Sequence, residues 1–580
     1  MSFEGPISAD ETFPKRSPGI VSAFAGSSLA SLTVISLVAV TLMLPELLIG
    51  VTVTDSYRFS VIWPQQFGEL LSHGHLYPRW LPRSWDGFGS PVFYFYPPLF
   101  FWVAGAFGAL TSGSLPIERV VPLGSLTMMI VSGVAMRAWL RTHVGNGRAL
   151  AGAAAYMAAP YHLYDIYARG ALAEASAYAS VPVVMLALAR LGAGRSRYLP
   201  VLALGYAALL FSHLPSALLV TLFLVPPCAL LVAHGSDRPA RFITLALIGG
   251  VTGLAVAAAY LLPAVTLLPF ASPGDLSQSF YQPEHWFFWR LPGGPMGARM
   301  MFIVPVTVAA FLAAAGVAAK SWRQHDDAKF WAGLTAILTI LIAGLIPPLW
   351  SLPGLHLVQF PWRALLLVEF ASITMLAIGM PAIRSLFALG AVTLLAFSYV
   401  VLGLMISHTI SRTWTGGREA SSDIELQYLD APEYLPVGSG VVQGEGPDHL
   451  RITLPRMPLA LASNPLAKLR ASAASDGALA VWVDTPRSTE IRLRRFYFPH
   501  WSLRDGHERQ VAFGPDPRDK VVTFVAPAGR SIFRLEPGTA PGERLAEAIS
   551  LFGLLAVFAF FSISAVPRLR NDGCRPLAAG

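Results

Sequence analysis

Asp55, Glu174 and Arg363 are the residues whose type and setting could do chemistry. Asp55 directly follows the first long apolar run, Gly26 to Val51, so its carboxylate stands at a membrane boundary among Tyr57, Phe59 and Trp63. Carboxylates at apolar, low-dielectric boundaries take up protons readily and can serve as general bases. The simpler alternative is a solvated helix-end acid paired with Arg58 at i+3. Glu174 opens a later apolar run, after Tyr161, His162, Tyr164, Asp165, Tyr167 and Arg169. An ionisable residue carried to the membrane edge is costly, hence a functional candidate. Asp165 and Arg169 are spaced i,i+4, which also suits a local salt bridge. Arg363 lies in HLVQFPWR, in the first turn of a helix that Pro361 can start, and is expected to point outward. A cation there opposes the helix dipole and calls for an anion beside it. A phosphate at the membrane face would serve; snorkelling to lipid headgroups is the alternative.

Further candidates are weaker. Arg79 and Arg83, with Trp80, Trp85 and Asp86, could line a sugar or phosphate pocket, and His213 falls between two apolar runs. Glu284 and His285 sit in a loop with Trp286 and Arg290. Tyr94, Tyr96 and Trp362 join Trp80 and Trp85 as aromatic faces for a lipid chain or sugar, although membrane aromatic belts account for such residues equally well. Glu284-His285 lacks the spacing of a zinc helix motif, and Cys228 and Cys574 have no ligand partners at metal spacing. No metal cluster is legible, and a divalent cation stays an open alternative.

The elements that must position these residues are membrane helices. The chain is 54% hydrophobic and 13% charged, with a mean hydropathy of +0.54. Soluble domains carry about 25% charged residues. Repeated apolar runs therefore mark an α-helical polytopic membrane protein. The net charge of +8 does not argue for nucleic acid, because the basic residues fall in short loops between apolar runs. Placing those clusters inside threads about 12 transmembrane helices and puts Asp55, Glu174 and Arg363 on one outer face. The thread expects a cytoplasmic tail over 1–25 with no cleavable signal and a multi-helix module over 26–410 with an outer first loop, 52–115. It then expects an extracytoplasmic β-rich domain over 411–542, and a last helix with a cytoplasmic tail over 543–580. Val92 to Leu110 must then dip into or lie along the outer leaflet, an ordinary span being the alternative.

In the 411–542 region LRITL, ALAVWV, TEIRLRRFYF, RQVAFG, KVVTFVA and SIFRLE alternate in period two between turn residues, predicting a sandwich-like antiparallel domain inserted before the last helix. Phe496 to Arg509 reads as a strand, an Asp505-Gly506 turn and a return strand, with a structural role favoured over substrate binding.

Several motifs keep their order along most of the chain: LYPRW from Leu76, GFGSPVFYFYPPL from Gly87, YARGALAE from Tyr167, SHLPSALL from Ser212, QFPWR from Gln359 and FYFPHWSLRDG from Phe496. With Asp55 they resemble the polytopic membrane glycosyltransferases of the C-type (GT-C) fold. The nearest likeness is to bacterial membrane proteins labelled "6-pyruvoyl-tetrahydropterin synthase-related", and a more distant one is to YfhO-like membrane proteins. Pterin chemistry has no support, as no His triad of metal spacing is present. The resemblance implies an outer first loop with a catalytic acid, membrane-parallel helices in that loop, and a sugar donor linked to a polyprenyl phosphate. It implies a bacterial inner-membrane enzyme whose partners are membrane lipids and the lipid-linked sugar. Many C-type enzymes have paired acids after the first span, whereas Ser56 follows Asp55 here. On that reading Asp55 is the base and Glu174 orients the acceptor. Arg363, with Arg58, Arg79 or Arg169, would meet the departing phosphate. A lipid-linked sugar flippase and a non-catalytic envelope scaffold are the rival readings.

Overall fold

The computed structural model describes residues 28–111, 113–272, 281–290, 295–321, 326–379, 386–417, 430–439 and 457–565. The expected tail 1–25, Lys15, Arg16, Arg323, Arg384, Arg568, Arg570, Cys574 and the LRITL strand lie outside the described residues.

Among the described residues nine helices are long and apolar enough to cross a membrane. The first, Ser28–Ile49, has 22 residues, about 33 Å at 1.5 Å per residue against a core of about 30 Å. The others are Ile117–Leu140, Leu172–Gly192, Leu214–His234, Pro239–Val256, Gly297–Lys320, Pro361–Gly379, Leu386–Thr415 and Glu543–Ser562. Three further expected crossings fall on the shorter helices Asn146–Met157, Leu199–Ser212 and Asp326–Ile342. The helical module expected to end at 410 continues to Arg412 and through a π turn to Gly417, and the first described strand begins at Ala460.

The first loop is a folded layer. Tyr57–Ser72 is a 16-residue amphipathic helix. Val92 to Leu110 breaks at Pro97-Pro98 into Val92–Phe95 and the 12-residue Leu99–Leu110. Twelve residues reach about 18 Å, too short for the hydrocarbon core. Leu99–Leu110 packs on Tyr57–Ser72 where Gly68 and Gly105 meet, and a Cβ on Gly68 would lie 3.3 Å from the Gly105 backbone.

The C-terminal domain is two four-stranded antiparallel sheets, ordered β1-β4-β7-β6 and β2-β3-β8-β5. The strands are β1 (Ala460–Ala462), β2 (Lys468–Ala473), β3 (Leu479–Thr485), β4 (Thr489–Phe496), β5 (Trp501–Asp505), β6 (Phe513–Pro515), β7 (Val521–Ala526) and β8 (Gly529–Pro537). Period-two patterning buries Leu479, Val481 and Val483 of β3 against Ile491, Leu493, Phe524, Phe533 and Leu535. The Asp505-Gly506 turn forms, with the Val511 amide returning to Leu503 O at 2.9 Å, but the expected hairpin is partial: Phe496 ends β4, the strand before the turn is β5 alone, and the return is an isolated bridge from Arg504 to Gln510. The β1 and β2 strands were not legible in the sequence, since ALA and KLRASA carry weak alternation.

First loop and β domain are docked on each other. The Phe496 amide donates to Phe88 O at 2.9 Å, and Arg495 donates to Gly87 O. Trp80 packs against His500 and Trp501 at 4.7 and 5.2 Å between ring centroids. Gly89 has φ +84 and a Cβ there would overlap Trp80. Asp430 joins the same junction, where its Oδ1 accepts from Trp63 Nε1 at 2.6 Å and from the Ala431 amide at 2.7 Å.

Candidate functional site

Two stretches of chain, 52–56 and 165–174, build the site by pairing along their backbones. The Asp55 amide donates to Ala168 O at 3.1 Å and the Ser56 amide to Arg169 O at 2.9 Å. Gly170 permits this approach: its φ is +66, and a Cβ there would overlap Thr54 Oγ1. Just before it, Asp165–Arg169 is a π-helical turn, the wide geometry that recurs at functional positions. The left-handed turn at Gly170 then folds the chain back, so Glu174 meets Arg169 although five residues separate them.

The outcome is a buried knot of acids and arginines. Arg169 Nη1 is 2.5 Å from Asp165 Oδ1, 2.8 Å from Glu174 Oε2 and 2.9 Å from Tyr161 Oη. Tyr161 Oη donates to Glu174 Oε1 at 2.6 Å. Arg363 Nε lies 3.4 Å and His213 Nε2 3.9 Å from Glu174 Oε2. Glu174 is 1% exposed. The four ionisable partners Asp165, Arg169, Glu174 and Arg363 sum formally to zero, which keeps the desolvation cost of each tolerable.

Arg363 turns inward, not outward as expected. The anion that offsets its place at a helix start is Glu174, and its Nη1 reaches back to Val358 O at 2.7 Å and Gln359 Oε1 at 3.0 Å. Gln359 is held at φ +66, ψ −53, with the Phe360 amide donating to Val358 O at 2.7 Å. That is the strained γ-turn, which persists only where its surroundings enforce it.

Asp55 stands at the open edge of the knot. Its side chain is 51% exposed and accepts from Arg299 Nη2 at 2.7 Å. Arg299 is not among the sequence candidates, because nothing in its local sequence marks it as a partner of Asp55. The alternative partner for Asp55, Arg58, has its guanidinium 4.8 Å over the Phe59 ring.

Other candidates fall elsewhere. Arg79 does not face the knot: its Nε pairs with Glu543 at 2.6 Å, its Nη1 donates to Ala259 O at 2.8 Å, and its guanidinium lies 4.0 Å over Tyr77. It ties the first loop to the last membrane helix. Trp80, Trp85 and Tyr94 are buried in the junction with the β domain, against Phe498 and His500 in the cases of Trp80 and Tyr94. They are a docking surface rather than an open platform, because aromatic area on both sides of the junction is buried together. Tyr96 packs on Trp63 at 4.7 Å, and burial pushes its hydroxyl up to about 12, so it stays neutral. Trp362 stacks on Phe360 and meets Trp286 edge-on, both at 4.6 Å. Glu284 is half-buried and His285 exposed on the turn Pro283–Trp286, so that turn contributes Trp286, not its ionisable side chains, to the Trp362 aromatic group.

Among the described residues Asp165 Oδ2, Arg363 Nε and Trp362 Nε1 are buried without a hydrogen-bond partner. Native interiors leave few such atoms, and water, an ion or a ligand can satisfy those that remain; Arg363 Nε keeps its ion pair with Glu174. No group of three or more His, Cys, Asp or Glu side chains gathers to hold a metal ion among the described residues.

These features define a polytopic helical membrane protein with a C-terminal β domain and an acid–arginine site where the first loop meets the helical bundle. No family model and no curated protein matches the sequence. Among solved structures, the arabinofuranosyltransferase AftD from Mycobacteria aligns with TM-score 0.40 and 18% identity over 67% of this chain and 27% of that one. A mutant form of AftD aligns with TM-score 0.40 and 19% identity over 67% and 28%. The oligosaccharyltransferase of Archaeoglobus fulgidus aligns with TM-score 0.37 and 15% identity over 70% of this chain and 57% of that one. The chain thus spans less than two thirds of the length of each.

Proposed function

We propose that this protein is an integral membrane glycosyltransferase of the C-type, moving a sugar from a polyprenyl-phosphate donor to an acceptor at the outer face of a bacterial inner membrane. The observation that carries the reading is an exposed carboxylate, Asp55, set beside a buried acid–arginine knot by the backbone pairing of Asp55 with Ala168 and of Ser56 with Arg169. Transfer to a hydroxyl needs a base open to the acceptor and cations for the leaving phosphate, side by side. The ordered GT-C motifs in the sequence support the same chemistry.

In a single displacement, the acceptor oxygen bonds to the anomeric carbon as its proton passes to an Asp55 oxygen. The bond from the anomeric carbon to the phosphate oxygen breaks and the electron pair leaves with the polyprenyl phosphate. That anion needs no proton, and Arg363 and Arg169 meet its growing charge in a site shielded from water. Glu174 and Asp165 hold the two guanidinium groups in place.

The test uses the full-length protein in nanodiscs with a panel of synthetic polyprenyl-phosphate sugars. The wild type should release polyprenyl phosphate and form a new glycosidic bond, and Asp55→Asn should do neither while staying folded. Labelled lipid crossing the bilayer without a new glycosidic bond would make the protein a transporter instead.

A further inference from the structure

Glu369 is a buried acid that the mechanism above does not use. It lies in the helix Leu365–Gly379, six residues past Arg363, and is 4% exposed. Its Oε1 accepts the Tyr161 amide at 2.6 Å, and its Oε2 accepts the Tyr178 hydroxyl at 2.5 Å. The His162 amide also donates to this carboxylate. These donors belong to two different parts of the site. Tyr161 and His162 open the short helix Pro160–Tyr164, whose first amides have no partner within a helix of five residues. Tyr178 is one turn beyond Glu174 on the helix Leu172–Gly192, on the same face. The His162 ring stacks flat on Tyr178, 3.9 Å between centroids.

We infer that Glu369 is a positioning residue that holds Tyr161 and Tyr178 in register, and through them fixes the Glu174 carboxylate between Arg169 and Arg363. The linkage is continuous. Glu369 fixes the Tyr161 backbone, and the Tyr161 hydroxyl donates to Glu174 and accepts from Arg169. One helix therefore brings both Arg363, which touches Glu174, and the acid that sets the segment on Glu174's other side. A hydrophobic residue at 369 would pack in the same volume but leave buried amide and hydroxyl donors unpaired.

The inference rests on the proposed transfer only for its kinetic arm. Amide exchange is read first, on full-length protein in nanodiscs. Glu369→Ala should speed exchange in the segment 159–165 at least tenfold and leave the β domain unchanged. Glu369→Gln, which keeps an acceptor for the Tyr161 amide, should restore protection. Unchanged exchange in Glu369→Ala overturns the inference whatever the activity. Should that variant fail to fold, Glu369→Asp, whose shorter side chain draws the carboxylate back from the Tyr161 amide, takes its place, and unchanged exchange there overturns it equally. In transfer assays Glu369→Ala should lower kcat at least tenfold with the donor KM within twofold. In a Tyr161→Phe background the same change should cost less than twofold, and full additivity would show that Glu369 does not act through Tyr161. A wild type without transfer activity defeats the proposed function and leaves the exchange result standing.

Discussion

Arg299 Nη2 donates to Asp55 Oδ2 at 2.7 Å, joining residues 244 positions apart at the open edge of the site. The pair is half-exposed: Asp55 keeps 51% and Arg299 27% of its side-chain surface. The carboxylate is thus half open, with Arg299 as its ion-pair partner among the described residues. Asp55→Asn keeps the shape and one hydrogen-bond acceptor but no base. Loss of a general base costs about 10²–10⁴-fold in rate. Transfer by Asp55→Asn should fall by that factor with thermal stability unchanged, while Arg299→Gln should keep most of the rate. Equal rates in Asp55→Asn and wild type would remove Asp55 from the chemistry.

Glu174 carries a different kind of prediction. It is the shared anion of Arg169 and Arg363, and Tyr161 also donates to it. Removing one partner from a buried charge network leaves the others uncompensated, at about 3–5 kcal/mol. Glu174→Ala should therefore lower the unfolding midpoint in detergent by several degrees, and Glu174→Asp by less. A midpoint equal to wild type would mean the two arginines find other anions, and the knot would not be held as described.

Gln359 separates strain from function. Its left-handed backbone is an expensive conformation for a residue with a Cβ, about 1–3 kcal/mol. Its side chain meanwhile supplies an acceptor to Arg363 at 3.0 Å. Glycine at this position relieves the strain but adds chain entropy of about 1 kcal/mol to the unfolded state, so the two effects nearly offset. The midpoint of Gln359→Gly should stay close to wild type. The lost hydrogen bond to Arg363 should slow transfer about tenfold, the equivalent of roughly 1.4 kcal/mol. A variant that is destabilised and fully active would reverse the assignment.

The helical plan and the sandwich were legible because they rest on periodicity and length, which a sequence carries locally. The acids and arginines at 165–174 and 363 were legible for the same reason: charge inside an apolar run stands out. What did not show was pairing across distance. Arg299 and Glu369 each sit in or beside an apolar run, and only folding brings them to Asp55 and Tyr161. Trp80, Trp85 and Tyr94 have the composition of a ligand platform, yet the β domain covers them, and nothing in LYPRW or GFGSP announces FYFPHW as its partner. Arg363 was placed on its helix but aimed the wrong way, because its direction depends on Glu174, almost two hundred residues away.

His500 makes that covered junction sensitive to acid. Its ring is 2% exposed, lies 4.3 Å from Trp501 and 4.7 Å from Trp80, and neither ring nitrogen has a hydrogen-bond partner among the described residues. Burial among aromatic rings pushes its pKa down to about 3, against about 6.5 in an unfolded chain. The folded state therefore holds the ring neutral where the unfolded state would charge it. The stability this protects is complete above about pH 6.5 and is lost towards pH 3, at about 1.4 kcal/mol per unit of pH. Asp516 acts in a separate window: hydrogen bonds from Arg518 and the charge of Arg492 hold its carboxyl below the usual range, so its contribution is lost only below about pH 3.8. Between pH 6.5 and 4 the junction should loosen through His500. Tryptophan fluorescence and protease sensitivity of the first loop should change over that range in the wild type. His500→Phe keeps an aromatic ring in the same place and cannot be protonated, so its transition should flatten. The same acid transition in His500→Phe would assign the sensitivity to another group.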